Sequence, residues 1–292
     1  MGKKIALCIG GYWKSFTDPS ACGYKGLEHL KEVLFDKHDN VDVFIHSWQT
    51  DMEQEIRELY APWIKNAVFE EQINFSDILR ERGLSDEVYL NDPNYNRFYP
   101  WNNVAGGKMP TKFPNYLSQA HTRSESLRLK KRYELKNNIK YDWVIQTRFD
   151  VYSINRALTD HSKPDVSFLK FSESYDNSKV FFPFWNDFNE GMPDIWFYSN
   201  SENMDKFIGF DEKIMSWYSN NTEYLSLAVN GWFDSDAHNC FSNEIFKDPE
   251  FKSKNLNSYN VKQSVNYAMF MKYLLKSENL YGKIKILEKI SF

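Results

Sequence analysis

Cysteine is scarce in this chain: Cys8, Cys22 and Cys240 are all there is among 292 residues. Spread so widely, they build neither a disulfide framework nor a CxxC metal site, and Cys8 inside an apolar run reads as a small core residue. A reducing cytoplasm is the expected location. Long hydrophobic runs are missing too, since no stretch approaches the roughly 18 apolar residues of a membrane span. The opening MGKKIALCIGGYW holds too few apolar residues for a secretory leader. The chain is therefore expected to be soluble or at most peripheral. There is also no basic excess: 36 Lys and Arg against 40 Asp and Glu leave a net charge of −4, which argues against a general nucleic-acid binder.

Several catalytic signatures are absent. No GxGxxG and no GxxxxGK[ST] occur, so neither the dinucleotide fingerprint nor the P-loop is present. Without GxSxG or a cysteine beside an evident base, nucleophilic hydrolysis has little support. Six scattered histidines and no HExxH make zinc hydrolysis equally weak. Internal repeats and low-complexity linkers are lacking as well.

What is present is a folded composition, 42% hydrophobic and 17% aromatic, long enough for one large α/β domain or two small ones. Lys4 to Ile9 reads as a first central strand, followed by a tight turn at Gly10–Gly11. Residues 26–37 carry Leu27, Leu30, Val33 and Leu34 at helical spacing. Val41 to Trp48 reads as a second strand, and a strand–helix–strand opening implies a parallel pair. Residues 51–60 and 76–82 are helix candidates around a short strand at 66–70. The longest helical pattern covers 116–137. Short strands are expected at 166–171, 180–184 and 195–198. Ser199 with Glu202 reads as a capping box. Helices follow at 211–218 and 260–276, then a short tail from 283 to 290.

The stretch that organises the rest is Tyr141 to Tyr152, YDWVIQTRFDVY, an apolar run that ends abruptly in charge. In open α/β sheets ligands lie just beyond the carboxyl ends of strands. On an extended backbone Arg148 and Asp150, two apart, would point the same way. Such a pair suits a metal–phosphate ligand, with the carboxylate on a hard divalent cation and the guanidinium on phosphate oxygens. It also suits a local ion pair that only fixes a loop. The Gly10–Gly11 turn lets a ligand approach the backbone, and Lys14 on the following loop can meet a phosphate or stay solvated. His46 and Trp48 close the second strand on the same edge, as ligand contacts or as core. Gln119 and Arg123, near the start of the long helix, can approach the same cleft.

Further candidates lie later in the chain. Asp194, just before a strand, reads either as a general base for an acceptor hydroxyl or as a turn aspartate. Asp234, Asp236 and His238 form a DxDxH run able to hold a divalent ion, or a plain polar loop. Glu223 and Glu244 are acidic residues with nothing to single them out. The loop from Asn91 to Asn115 carries Tyr95, Phe98, Tyr99 and Trp101, which can stack on a sugar or base or pack onto the body. The basic run Arg128, Lys130, Lys131 and Arg132 reads as the solvated face of the long helix, with a peripheral membrane contact as the other reading.

Four separated motifs, CIGGYWKSF, DVFIHSW, the helix from LSQAHTRS to KKRYE, and YDWVIQTRFDVY, together resemble a family of bacterial and viral glycosyltransferases of the GT-A type. That family commonly shows CISG-R-F, DIFIH-W and YD-VIR-R-D in this order, the last standing where other GT-A enzymes carry DxD. The likeness spans about residues 4–152 and thins to PDIWFYSNSENM beyond. It implies a GT-A-like fold, with a Rossmann-type, mostly parallel central sheet flanked by helices and a partly antiparallel C-terminal half. The change of pattern near residue 150, with no linker, suggests two halves of one domain, 1–152 binding a nucleotide sugar and 153–292 binding the acceptor.

By the same resemblance Gly10, Gly11 and Lys14 line the nucleotide pocket, and His46, Trp48, Gln119 and Arg123 surround it. Arg148 would meet phosphate, and Asp150 would hold Mn²⁺ or Mg²⁺. Lys14 stands where the family has arginine, Gln146 and Thr147 replace a further arginine, and Arg148 replaces the first Asp of DxD. Lysine is not a bidentate substitute for arginine, so phosphate contact is shared differently here. The expected activity is transfer of a sugar from a nucleotide-sugar donor to a glycan or lipid-linked acceptor in surface polysaccharide synthesis, with Asp194 as base if configuration inverts. The alternatives are a nucleotidyltransferase for sugar phosphates and a non-catalytic glycan- or nucleotide-binding module.

Overall fold

A computed structural model describes residues 2–13, 22–83, 113–151, 169–183, 195–219, 271 and 274–287, and the structural statements below concern those residues. The apolar runs form the strands Ile5–Gly11 (β1), Val41–Ser47 (β2), Ile64–Phe69 (β3) and Trp143–Thr147 (β4). They pair in parallel in the order β3-β2-β1-β4. Val180–Pro183 (β5), Trp196–Ser199 (β6) and Ile284–Leu287 (β7) extend the sheet to the order β3-β2-β1-β4-β6-β5-β7. β6 pairs antiparallel with β4 and with β5, whereas β7 pairs parallel with β5. Among these strands β6 alone runs against the others. The expected mixed α/β architecture, mostly parallel with a partly antiparallel C-terminal half, is what the chain forms.

Strand alternation divides the core between two faces, as a parallel sheet covered on both sides requires. Ile5, Leu7 and Ile9 of β1 face one core with Val43, Ile45 and Ile145; Ala6 and Cys8 face the other with Phe44 and Val144. The first face is covered by Cys22–Leu30 (α1), which continues as a π turn over Lys31–Phe35, and by Glu53–Leu59 (α2). They contribute Leu27, Leu30, Leu34 and Ile56. The second face is covered by Phe75–Glu81 (α3), the long helix Phe113–Asn137 (α4) and, past the short Ser201–Asp205 (α5), by Phe210–Ser219 (α6). Leu79, Leu117, Ala120, Leu127 and Ile214 enter that core. Burial pushes the Cys8 thiol far above its ordinary pKa, so it behaves as an apolar filler.

Gly10 sets how closely β1 meets α4. A Cβ there would lie 2.9 Å from the carbonyl carbon and oxygen of Thr122, so only glycine lets the strand end and the helix backbone touch. Beside it, Gly11 has φ +118°, in the region that glycine alone adopts readily.

Several expectations need correction. Gly10 and Gly11, expected to form a tight turn after the first strand, are its last two residues, paired with His46 and Ser47 of β2. β4 stops at Thr147, so Arg148 and Asp150 stand on a turn, with the Val151 amide donating to the Arg148 carbonyl, and not on extended backbone. The cap of α5 is Asn200, whose Oδ1 accepts from the Asn203 amide at 2.9 Å; Ser199 instead ends β6 and donates to the Lys179 carbonyl. The supposed tail from 283 supplies β7. The basic run is no single solvated face either, because Lys130 is fully buried. Of the strand expected over 166–171, residues 169–171 have no regular structure and 166–168 lie outside the described residues; most of the 260–276 helix lies outside them as well.

Candidate functional site

β1 and β4 are the strands where the sheet order reverses direction, with chain order descending on one side and jumping on the other. The crevice beyond the carboxyl ends at such a switch point is where open α/β sheets bind ligands. A cavity of about 350 Å³ lies there. Gly10, Gly11 and Tyr12 line it from the end of β1, Trp48 from the end of β2, and Arg148 and Asp150 from the turn after β4. The long helix adds Asn115, Ser118, Gln119 and Thr122, which fall on one helical stripe at spacings of three and four.

Polar contacts fix these walls. Ser47 Oγ donates to the Gly11 carbonyl at 2.8 Å and accepts from the Gln49 amide, joining the ends of β1 and β2. Trp48 Nε1 and Gln72 Nε2 both donate to Ser118 Oγ, at 3.0 and 3.1 Å, and the Tyr12 hydroxyl donates to Gln72 Oε1. Burial raises the Tyr12 pKa, with the Glu71 charge adding to it, so the phenol stays protonated as a donor.

Arg148 and Asp150 do meet, but on a turn. Arg148 Nε donates to Asp150 Oδ1 at 2.8 Å and Nη2 to Oδ2 at 2.5 Å, a bidentate fork. The Arg148 side chain keeps 31% of its surface exposed and Asp150 15%. A hard divalent cation needs several oxygens around it. Here both Asp150 oxygens are engaged by a guanidinium, and the one cluster of three metal-ligating side chains among the described residues lies elsewhere. The carboxylate orients Arg148 here, and no step below runs through a cation at this position.

That cluster is His46, Glu70 and His121, whose ligating atoms lie within 4.8 Å of one another. It sits behind Trp48, whose ring stacks on His121 at 5.3 Å between centroids and meets His46 edge-on at 5.0 Å. His46 Nε2 is 2.9 Å from Glu70 Oε1, and His121 Nδ1 is 2.7 Å from Asp211 Oδ2. Burial holds the His46 pKa below its ordinary value despite the bond from Glu70. Burial pulls His121 down too, but the hydrogen bond and charge of Asp211, with Glu125 and Glu70 behind, outweigh it and leave His121 above the ordinary value.

Of the residues singled out from sequence, Gly10, Gly11, Trp48, Gln119, Arg148 and Asp150 meet at one cavity. His46 stands one ring away from it. Arg123 does not line it: the side chain is 3% exposed, with its guanidinium carbon 6.0 Å from the centroid of the Phe197 ring. Lys14 and Asp194 lie outside the described residues, as do Asp234, Asp236, His238, Glu223, Glu244 and the aromatics Tyr95 to Trp101. Sequence reasoning missed Tyr12, Gln72, Asn115, Ser118, Thr122, Glu70 and His121. A polar stripe through LSQAHTRS at helical spacing carried the signal for the helix residues; nothing local marked Gln72 or Glu70. Among the described residues no helix is long and apolar enough to cross a membrane.

No family model and no curated protein matches the chain. Among solved structures it is similar to a cytidylyltransferase from Leptospira borgpetersenii serovar Hardjo-bovis, at 12% identity and a TM-score of 0.30 over 98% of this chain and 100% of that one. A likeness so slight bears on neither mechanism nor substrate.

Proposed function

We propose that this chain is a glycosyltransferase that moves a sugar from a nucleotide-sugar donor to a glycan or lipid-linked acceptor. One observation carries the reading. The residues in which the GT-A resemblance resides, Gly10 and Gly11, Trp48, Gln119, and Arg148 with Asp150, are up to 140 positions apart yet line a single cavity at the switch point of the sheet. The chemistry of that cavity suits a diphosphate leaving group. Among the described lining residues the formal cation is Arg148, and Asp150 takes two of the guanidinium's N–H donors and holds the fork in one plane. Charge that develops on the leaving phosphate as the glycosidic C–O bond breaks would be met by a donor already oriented, which costs no reorganisation at the moment of reaction. Gly10 and Gly11 leave room for the nucleotide to lie against backbone.

A thermal-shift panel tests the reading: UDP, GDP, CMP and their common sugars, each with Mn²⁺ and with EDTA. Ligands that bind only the folded chain raise its melting temperature by mass action. One nucleoside diphosphate and its sugars should stabilise the chain in EDTA as well as in Mn²⁺, and Arg148→Ala should abolish the shift. The stabilising donor should release its nucleoside diphosphate slowly into water when incubated with the wild-type chain. A panel in which no nucleotide shifts the melting temperature rejects the donor site and leaves a glycan-binding module.

A further inference from the structure

The cluster behind Trp48 has the chemistry of a metal centre that the glycosyl-transfer reading does not use. We propose that His46, Glu70 and His121 bind a borderline first-row divalent ion of the zinc class, with Asp211 as the positioning residue that orients His121. Two imidazoles and a carboxylate are the ligand types that zinc takes in tetrahedral sites with one open position. Bond lengths of about 2.1 Å place tetrahedral ligands about 3.4 Å apart. His46 Nε2 lies 2.9 Å and His121 Nε2 lies 3.9 Å from Glu70 Oε1, so these two distances bracket that spacing, and all three ligating atoms lie within 4.8 Å of one another.

The surroundings agree. A ligating imidazole ordinarily gives its other ring N–H to a carboxylate, which fixes its tautomer and raises its basicity. His121 does this through Nδ1 to Asp211 Oδ2 at 2.7 Å, leaving Nε2 turned toward Glu70. Metal binding at Nε2 would leave the Asp211 bond in place. His46 is 1% exposed, and its buried Nδ1 has no hydrogen-bond partner among the described residues. With Nε2 on a metal, the ring proton moves to Nδ1, so His121, held by Asp211, is the ligand whose second nitrogen is partnered among the described residues, and Glu70 turns from hydrogen-bond acceptor to ligand. Glu70 keeps 45% of its side chain in solvent, which gives the ion a way in.

The four residues come from four elements: the ends of β2 and β3, the middle of α4, and the start of α6. An ion there would clamp these elements together directly behind Trp48, a wall of the cavity. This inference does not rest on the glycosyltransferase reading, because metal is read without nucleotide.

The experiment uses the full chain, stripped with chelator, loaded with Zn²⁺ or Co²⁺ and desalted. Elemental analysis should find one metal per chain, Co²⁺ should give the intense visible absorption of a four-coordinate site, and the melting temperature should rise. His121→Ala and Glu70→Gln should each lose the stoichiometric metal and the Co²⁺ band, whereas Arg148→Ala keeps both. Asp211→Asn should retain a folded circular-dichroism spectrum and bind about 10- to 100-fold more weakly. Glu70→Gln, isosteric and half exposed, keeps the test decisive if a histidine variant fails to fold. A wild-type chain that retains no metal after desalting overturns the proposal. So does metal that persists at one equivalent in Glu70→Gln combined with His121→Ala.

Discussion

An alanine at position 10 would carry its Cβ to 2.9 Å from the Thr122 carbonyl and 3.0 Å from the Arg123 amide, both backbone atoms of a helix that cannot swing aside. Strand end and helix must then separate. Overpacking of this kind costs about 1–3 kcal/mol, so Gly10→Ala should lower the urea midpoint with an unchanged m-value and weaken nucleotide binding. An unchanged midpoint would show that α4 gives way freely. The same residue shows how far single positions were legible. The glycine pair read as a turn open to a ligand; in the structure both glycines belong to β1, and what a Cβ at Gly10 would meet is a helix 112 positions on, which no local pattern names. Arg148 and Asp150 teach the converse lesson. Their pairing was foreseen from an extended backbone that does not exist; a turn brought them together instead, because a long guanidinium reaches a carboxylate from either geometry.

At the scale of elements, periodicity located helices well and misjudged what they bury. α4 presents Lys130 within a run of cations, and a run of cations on a helix is ordinarily a solvated face. Lys130 is instead 0% exposed, with Nζ 3.0 Å from Glu134 Oε2 and 2.7 Å from Ser201 Oγ, and in an ion pair with Asp205. Glu134 Oε1 in turn accepts from the Tyr141 amide at the entry to β4 and from Ser201 Oγ. This network seats α5 against α4 and fixes where the central strand begins. Ser201 and Asp205 lie more than 70 positions from Lys130, which is why the sequence pattern could not reveal the network. Removing one member of a buried ion pair strands the other, at about 3–5 kcal/mol. Lys130→Met should therefore destabilise the chain by that order in urea unfolding, while Arg132→Ala, on the exposed side of the same turn, should stay within about 0.5 kcal/mol. Equal effects at the two positions would place Lys130 in solvent after all.

Over the whole molecule, the N-terminal half was the legible part, because β1, β2, β3 and their helices follow each other locally and pair in parallel with short crossovers. The far half of the sheet was not, since β7 returns from the end of the chain to pair with β5, a contact about 100 positions long that periodicity does not encode. That division has a consequence for ligand binding. The cavity is built on the β1 and β4 ends, and β5 stands two strand spacings, about 10 Å, beyond β4. A nucleotide at about 100 times its Kd adds about 2.7 kcal/mol to global stability, which slows exchange of every amide that opens only by complete unfolding. Amides that open locally should respond only where the ligand touches. Hydrogen exchange with a saturating nucleotide should therefore show extra local protection at residues 10–12, at 47–49, along 115–122 and at the 148–150 turn. No comparable gain is expected at 180–183 or 284–287. Arg148→Ala should erase the pattern without altering the exchange of the unliganded chain elsewhere. Protection centred on β5 and β7 instead would move the nucleotide to the other half of the sheet and leave the switch-point cavity to the acceptor.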